Sequence, residues 1–305
     1  MAPAIVEPEP IEAPDKEAEI KRNPHEDFAS VEAGRPSYDS TLKWEMSKMP
    51  KPDWKVGDGA TTEDCKNRKF LAIDPQEDGR SVVLNYKLMI SCTVPRPIAL
   101  VSTVTEDGST RNLAPFSYFQ CVTTDPPTYS LTCTGRQPND TLSNILATKE
   151  CCISMTSDWL VEAANFSSVN TPRHISEWEL TGLTPVPGDV VKAPYIAESP
   201  FSIECKLLHH QDFFSVNDSS VRTATLMILQ VVRFHIWEDV LNEDRATADM
   251  AKLRPVFRAG GITYGTCFNG FEIPRPEAFR NVRQDPEVEA IVQKAQAAKG
   301  SQPES

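Results

Sequence analysis

The chain has 305 residues, 40% of them apolar and 24% charged, with a formal net charge of −12. A body of this size buries a core without disulfide or metal staples, and the acidic balance excludes non-specific nucleic-acid binding, which needs basic surface. No run approaches the roughly 18 apolar residues of a membrane span, and the first residues lack the apolar stretch of a secretory leader, so a cytoplasmic protein is expected.

Residues 1–40 hold ten acidic and four basic residues, half of the net charge, together with Pro3, Pro8, Pro10, Pro14, Pro24 and Pro36. Their few large apolar side chains cannot offset the entropy of ordering. A disordered, solvated arm is expected, and its removal should leave stability unaltered. Residues 41–80 follow as an extended strap, because Pro50 and Pro52 forbid helix there. From Asn85 onward strand signals dominate. Residues 98–104 are β-branched and apolar, Glu106-Asp107-Gly108-Ser109 supplies a turn, and residues 112–122 return, which predicts a hairpin over 98–122.

Further strands are predicted over 129–134, 151–155, 201–208 and 224–236. Between them, Leu142, Ile145 and Leu146 share one helical face and predict a short helix over 140–149. Other helices are predicted over 159–166 and 286–299. Many short strands with few small helices imply a mainly β protein, a single nearly closed barrel over 81–276 with peripheral helices. A C-terminal helix and tail occupy 277–305.

Several chemistries lack their signatures. There is no GxGxxG, GxxxxGK[ST], GxSxG or HExxH, and the eight cysteines form no CxxC pair or zinc-ligand spacing. His209-His210 and Cys151-Cys152 are adjacent pairs whose side chains leave a strand on opposite faces, so neither pair holds a metal. No metal site is expected. Glu198 and Glu204 have no identifiable partner.

What remains lies mostly between Val94 and Asn144. Its pieces are Val94-Pro95-Arg96-Pro97-Ile98-Ala99-Leu100-Val101-Ser102-Thr103, Arg111-Asn112-Leu113-Ala114-Pro115-Phe116-Ser117-Tyr118-Phe119, Asp125-Pro126-Pro127 and Asn139-Asp140-Thr141-Leu142-Ser143-Asn144. With residues 253–264, the chain over residues 80–276 resembles the flavin reductase-like, FMN-binding split-barrel family, and its segments near Trp54 and over 85–95 resemble fungal-type members. The resemblance implies an FMN-binding split β-barrel and a homodimer with FMN at or near the subunit interface. It also implies an FMN-dependent oxidoreductase moving a hydride from NAD(P)H through FMN to a flavin, oxygen or a small organic acceptor. FMN contacts are implied at Arg96, Ser102, Asn112, Ala114, Pro115, Phe116, Ser117, Tyr118, Arg136, Asp140, Thr141 and Asn144.

Residue chemistry stands beside that resemblance. Pro115 has no N–H, so it marks an edge or bulge whose freed main chain, with the Ser117 hydroxyl, can face a flavin ring; an ordinary edge strand is the other reading. Asp140 or Thr141 can cap a helix whose first amides receive a phosphate, with Arg136 four residues upstream to pair with it. Related sequences carry Lys where this chain has Asn139, so one cationic contact is missing. His235 closes a long strand, as a proton donor, a nicotinamide contact or a structural residue. Tyr264, after Gly260-Gly261, is placed to flank a substrate. Two other functions suit the same barrel: an FMN-dependent oxidase or oxygenase of a small metabolite, and a non-catalytic flavin or haem binder.

Overall fold

The structure, a computed structural model, describes residues 27–65 and 67–300; residues 1–26 of the expected arm lie outside them. In chain order its first elements are helix α1 (Phe28–Ala33), strand β1 (Glu45–Ser47) and helix α2 (Val82–Cys92). Strands β2 (Arg96–Pro97), β3 (Ala99–Val104), β4 (Arg111–Phe116), β5 (Phe119–Thr124) and β6 (Pro127–Thr134) follow. Next come helix α3 (Asp140–Thr148), strand β7 (Glu150–Met155), helices α4 (Val161–Phe166) and α5 (Glu177–Thr181), and short strands β8 (Pro185–Val186) and β9 (Tyr195–Ile196). The long strands β10 (Phe201–Phe214) and β11 (Arg222–Ile236) precede helix α6 (Met250–Leu253) and strands β12 (Val256–Arg258), β13 (Tyr264–Thr266) and β14 (Asn269–Phe271). Helices α7 (Phe279–Val282) and α8 (Pro286–Gly300) end the chain.

The main sheet has seven strands in the order β4-β3-β7-β10-β11-β6-β5, every neighbouring pair antiparallel. One face buries Ala99 and Val101 of β3 with Leu131, Ile153, Met227 and Leu229, and Leu142 and Ile145 of α3 close that core. Each Val, Leu, Ile or Met side chain there contributes about 1.5–3 kcal/mol when fully buried. On the opposite face, Leu100 and Leu113 pack with Leu160, Ala164 and Trp178 of the α4–α5 region.

The hairpin expected over 98–122 is divided. β3 and β4 pair as expected, but β4 stops at Phe116, and β5 pairs with β6 instead of β3. The break is local. Pro115 cannot donate to a ladder, and after Ser117 the Tyr118 carbonyl accepts the Thr132 N–H at 2.9 Å. Consecutive strands β4 and β5 thereby become the two edges of one curled sheet, and their junction is the corner of the split barrel.

Two other expectations are corrected. The strand signals expected from Asn85 do not begin there: residues 85–92 belong to helix α2, in which only Ile90 is buried. Its β-branched and apolar residues form an exposed helix face, not a strand. The arm also gains structure before residue 40. Asp27 caps α1, the Tyr38 hydroxyl donates to Asp158 at 2.8 Å, and Arg254 donates to the Ser40 and Leu42 carbonyls while holding Asp158. Removing residues 1–40 therefore removes real attachments, and stability should not stay unaltered.

Two compact units divide the chain. Among the described residues, one comprises 27–42 and 79–267, and the other comprises 43–78 and 268–300. In the second unit, β1 and β14 pair in parallel, and a Cβ at Gly270 would lie 2.2 Å from the Trp44 ring. The strap and the C-terminal segment thus fold together in this second unit.

Candidate functional site

β4 is an edge strand of the main sheet and carries the central residues of the sequence motifs. Its register sets Asn112, Ala114 and Phe116 opposite Thr103, Val101 and Ala99. Leu113 turns its N–H away from β3 and donates to Glu177 Oε2 at 3.0 Å. Two residues on, Pro115 holds the same outward position without an N–H to offer. Ala114, Pro115, Phe116, Ser117 and Tyr118 are all half-buried, so this edge ends in an accessible corner.

Arg96 builds that corner. Its buried guanidinium donates to the carbonyls of Ile90, Thr93 and Ala259, and its Nε reaches the Ser117 hydroxyl at 3.4 Å. Burial pulls its pKa down, and the nearby Arg258 charge adds to this. Arg96 therefore serves the protein's own carbonyls, clamping the end of α2 and the 259–261 turn beside β4. Gly260 permits this approach, since a Cβ there would lie 2.9 Å from that of Ser91. Tyr264 donates to Asn165 Oδ1 at 2.8 Å, with the Arg258 guanidinium 4.3 Å above its ring. Arg258 pairs across the ladder with both Tyr264 and Arg96, so Tyr264 belongs to this end of the site.

At the other end of β4 stands α3. Its N-cap is Asn139, whose side chain accepts the Leu142 N–H at 2.9 Å, so neither Asp140 nor Thr141 is the cap. Asn139 has the extended backbone of a capping residue, whereas Asp140 is already helical. The amides of Asp140 and Thr141 make no hydrogen bond among the described residues. Buried side-chain pairs seat the helix: Asn112 Nδ2 donates to Thr141 Oγ1 at 2.9 Å, and Asn144 Nδ2 donates to Thr103 Oγ1 at 3.0 Å.

The cation at this end is Arg173. It donates to Asp140 Oδ1 at 2.9 Å and to Asn144 Oδ1 at 3.0 Å, with its side chain 55% exposed. Arg136, expected to fill that role, is exposed on the turn after Gly135, and its charge helps lower the Asp218 carboxyl. Arg173 lies 33 residues beyond Asp140 in a Pro-rich connection, with no local spacing to reveal it. Ser102 does not join this group. Side chains alternate along β3, so it shares the face of Leu100, where its buried Oγ has no partner among the described residues.

His235 is also set apart. Its Nε2 lies 2.7 Å from Glu204 Oε1, and its ring stacks on Tyr195 at 4.1 Å. Glu204 is fully buried and accepts the N–H groups of Asp189, Val190 and Val191 at 2.7–2.8 Å. Burial alone would raise its pKa, but the bonds from His235 and these amides outweigh it and hold the carboxyl below the ordinary range. Asp189, Glu204 and His235 bring their ligand atoms within 4.8 Å of one another. With both Glu204 oxygens already engaged, this cluster anchors a loop. An acid between Ile203 and Cys205 in an apolar strand is the available sequence signal, since buried acids are paired.

These donors fit a flavin nucleotide. Two open amides and Arg173 suit a phosphate at α3, and the outward main chain of Ala114–Ser117 suits a ring. Five residues of extended strand, about 17 Å, separate Asn112 from Ser117. A family model for the flavin reductase like domain matches residues 90–252. The chain belongs to the flavin reductase like family. An uncharacterized protein of Aquifex aeolicus is 36% identical over 186 residues, 60% of this chain and 90% of that one. Nitrilotriacetate monooxygenase component B from Bacillus cereus aligns over all of its chain and 68% of this one, at 32% identity and a TM-score of 0.63. A split barrel domain protein from Shewanella frigidimarina, 24% identical, covers 66% of this chain and 96% of its own with a TM-score of 0.56, which bears on the fold. The flavin reductase-like chain is thus a split-barrel oxidoreductase with a flavin as its family's cofactor. Among the described residues, no helix is long and apolar enough to cross a membrane.

Proposed function

We propose that this flavin reductase-like protein binds FMN and passes a hydride from NADH or NADPH through it to a flavin, oxygen or a small organic acceptor. The observation that carries this reading is the end of α3, where the open amides of Asp140 and Thr141 meet the Arg173 guanidinium. A terminal phosphate monoester suits a helix N-terminus with one guanidinium, which favours FMN over FAD. Asn112, Thr141 and Asn144 position the helix, and Arg96 and Ser117 shape the corner that would receive the ring. Tyr118 and Tyr264 stand beside that corner. When bound, FMN supplies the two-electron chemistry, and the chain supplies binding and orientation.

In this reading His235 positions Glu204 and its loop. A homodimer with FMN at or near its interface is part of the proposal, supported by the exposed apolar side chains of Val82, Val83, Leu84, Tyr86 and Met89 on α2, which a second subunit would cover. The test is anaerobic addition of NADH or NADPH to the FMN-loaded protein. Rapid bleaching of oxidised flavin is expected. Reduction only by an organic substrate would favour an oxidase, and reduction by neither a non-catalytic binder.

A further inference from the structure

Beside the β4–β5 corner lies a slot of about 190 Å3. Three aromatic rings line it: Phe119 and Tyr129, stacked 5.0 Å apart and 3° from parallel, and Phe201. Met155, Leu253 and Pro255 extend the apolar wall, and no charged side chain contributes to it among the described residues. The hydroxyls of Thr156 and Ser157 are engaged by the Ile98 and Leu253 carbonyls. The mouth carries the exposed Gln120 and Cys121. Gln120 Oε1 accepts the Cys121 N–H at 2.9 Å, and its carboxamide NH2 makes no hydrogen bond among the described residues.

We propose that this slot binds an uncharged monocyclic aromatic or quinone-like ring carrying one hydrogen-bond acceptor. Size supports this, because an apolar cavity of about 150 Å3 already holds a benzene ring. Flat aromatic walls favour a flat guest in stacked or edge contact. A charged ligand would lose its hydration and meet no countercharge. The free Gln120 NH2 offers one donor to a ring substituent. Pro97 and Phe119 directly follow Arg96 and Tyr118, so the slot adjoins the corner assigned to the flavin ring. On that reading its occupant belongs to the class of the organic acceptor, although occupancy itself requires no flavin.

Acetophenone titrated calorimetrically into the full-length protein tests the proposal. Saturable binding is expected, at least tenfold tighter than that of benzoate. Cys121→Trp, made at an exposed position, should fill the mouth and weaken acetophenone at least tenfold. Gln120→Leu should weaken acetophenone several-fold and leave toluene binding unchanged. FMN affinity, read by flavin fluorescence, should be unchanged in both variants, so loss of the slot and failure of the flavin reading are distinguished. No saturable acetophenone binding to the wild type, or equal binding by Cys121→Trp, would overturn the proposal.

Discussion

Arg173→Ala should weaken FMN binding by about 1.5–3 kcal/mol, roughly ten- to 150-fold, whereas Arg136→Ala should change it only a few-fold. The contrast follows from where the two guanidinium groups stand. Arg173 is held at the first turn of α3 by Asp140 and Asn144, next to the two amides without partners. Arg136 lies across the preceding turn, toward Asp218. A phosphate at α3 would receive a fork of donors from Arg173 in a place already oriented for it. Arg173→Lys keeps the charge but loses the fork, and an intermediate affinity is expected. Since the Arg173 side chain is half-exposed, the melting temperature should shift little in either variant. Fluorescence titration with FMN reads these differences. A larger loss in Arg136→Ala than in Arg173→Ala would reverse the assignment.

The second large effect concerns stability. Glu204→Ala should destabilise the fold by about 3–5 kcal/mol, because it removes a buried acceptor and strands three loop amides and His235. For a domain near this size, that lowers the melting temperature by roughly 6–20 °C. Gly188 shows how closely the loop is fitted, since a Cβ there would lie 2.6 Å from the Val191 carbonyl oxygen and 3.0 Å from Glu204. The effect depends on pH. The Glu204 carboxyl is held below its ordinary value of 4.5 in the fold, so its contribution is full above that value and is lost as pH falls through the lowered one. Denaturant midpoints of wild type and variant should therefore differ most near neutrality and draw together as pH falls from 4.5 through the lowered value. A difference that stays constant throughout the acid range in which the fold survives would contradict the role given to Glu204.

Local patterns are legible where local physics decides structure. The period of Leu142, Ile145 and Leu146 specifies α3, and the apolar runs over 98–104 and 151–155 specify β3 and β7. Pro115 marks an edge because it has no N–H to donate, and β4 is an edge strand. The failures share one cause. In α2, apolar residues are exposed, so their composition mimics a buried strand. Residue 116, where β4 ends, depends on a bond from the Thr132 N–H to the Tyr118 carbonyl, which no window over 98–122 contains. Arg173 and Glu204 owe their positions to partners 13 to 33 residues away, beyond the reach of any local pattern. Cap chemistry is legible in kind, but Asn139 rather than Asp140 or Thr141 performs it.

Equilibrium binding of FMN and riboflavin to the same protein tests most directly whether a flavin phosphate sits at α3. Riboflavin keeps the ring and lacks only the phosphate, so it reports the β4 edge alone. FMN is expected to bind at least tenfold more tightly than riboflavin, and Arg173→Ala should shrink that gap to a few-fold while leaving riboflavin affinity unchanged. Equal affinities for the two flavins in the wild-type protein would contradict a phosphate site at Asp140, Thr141 and Arg173.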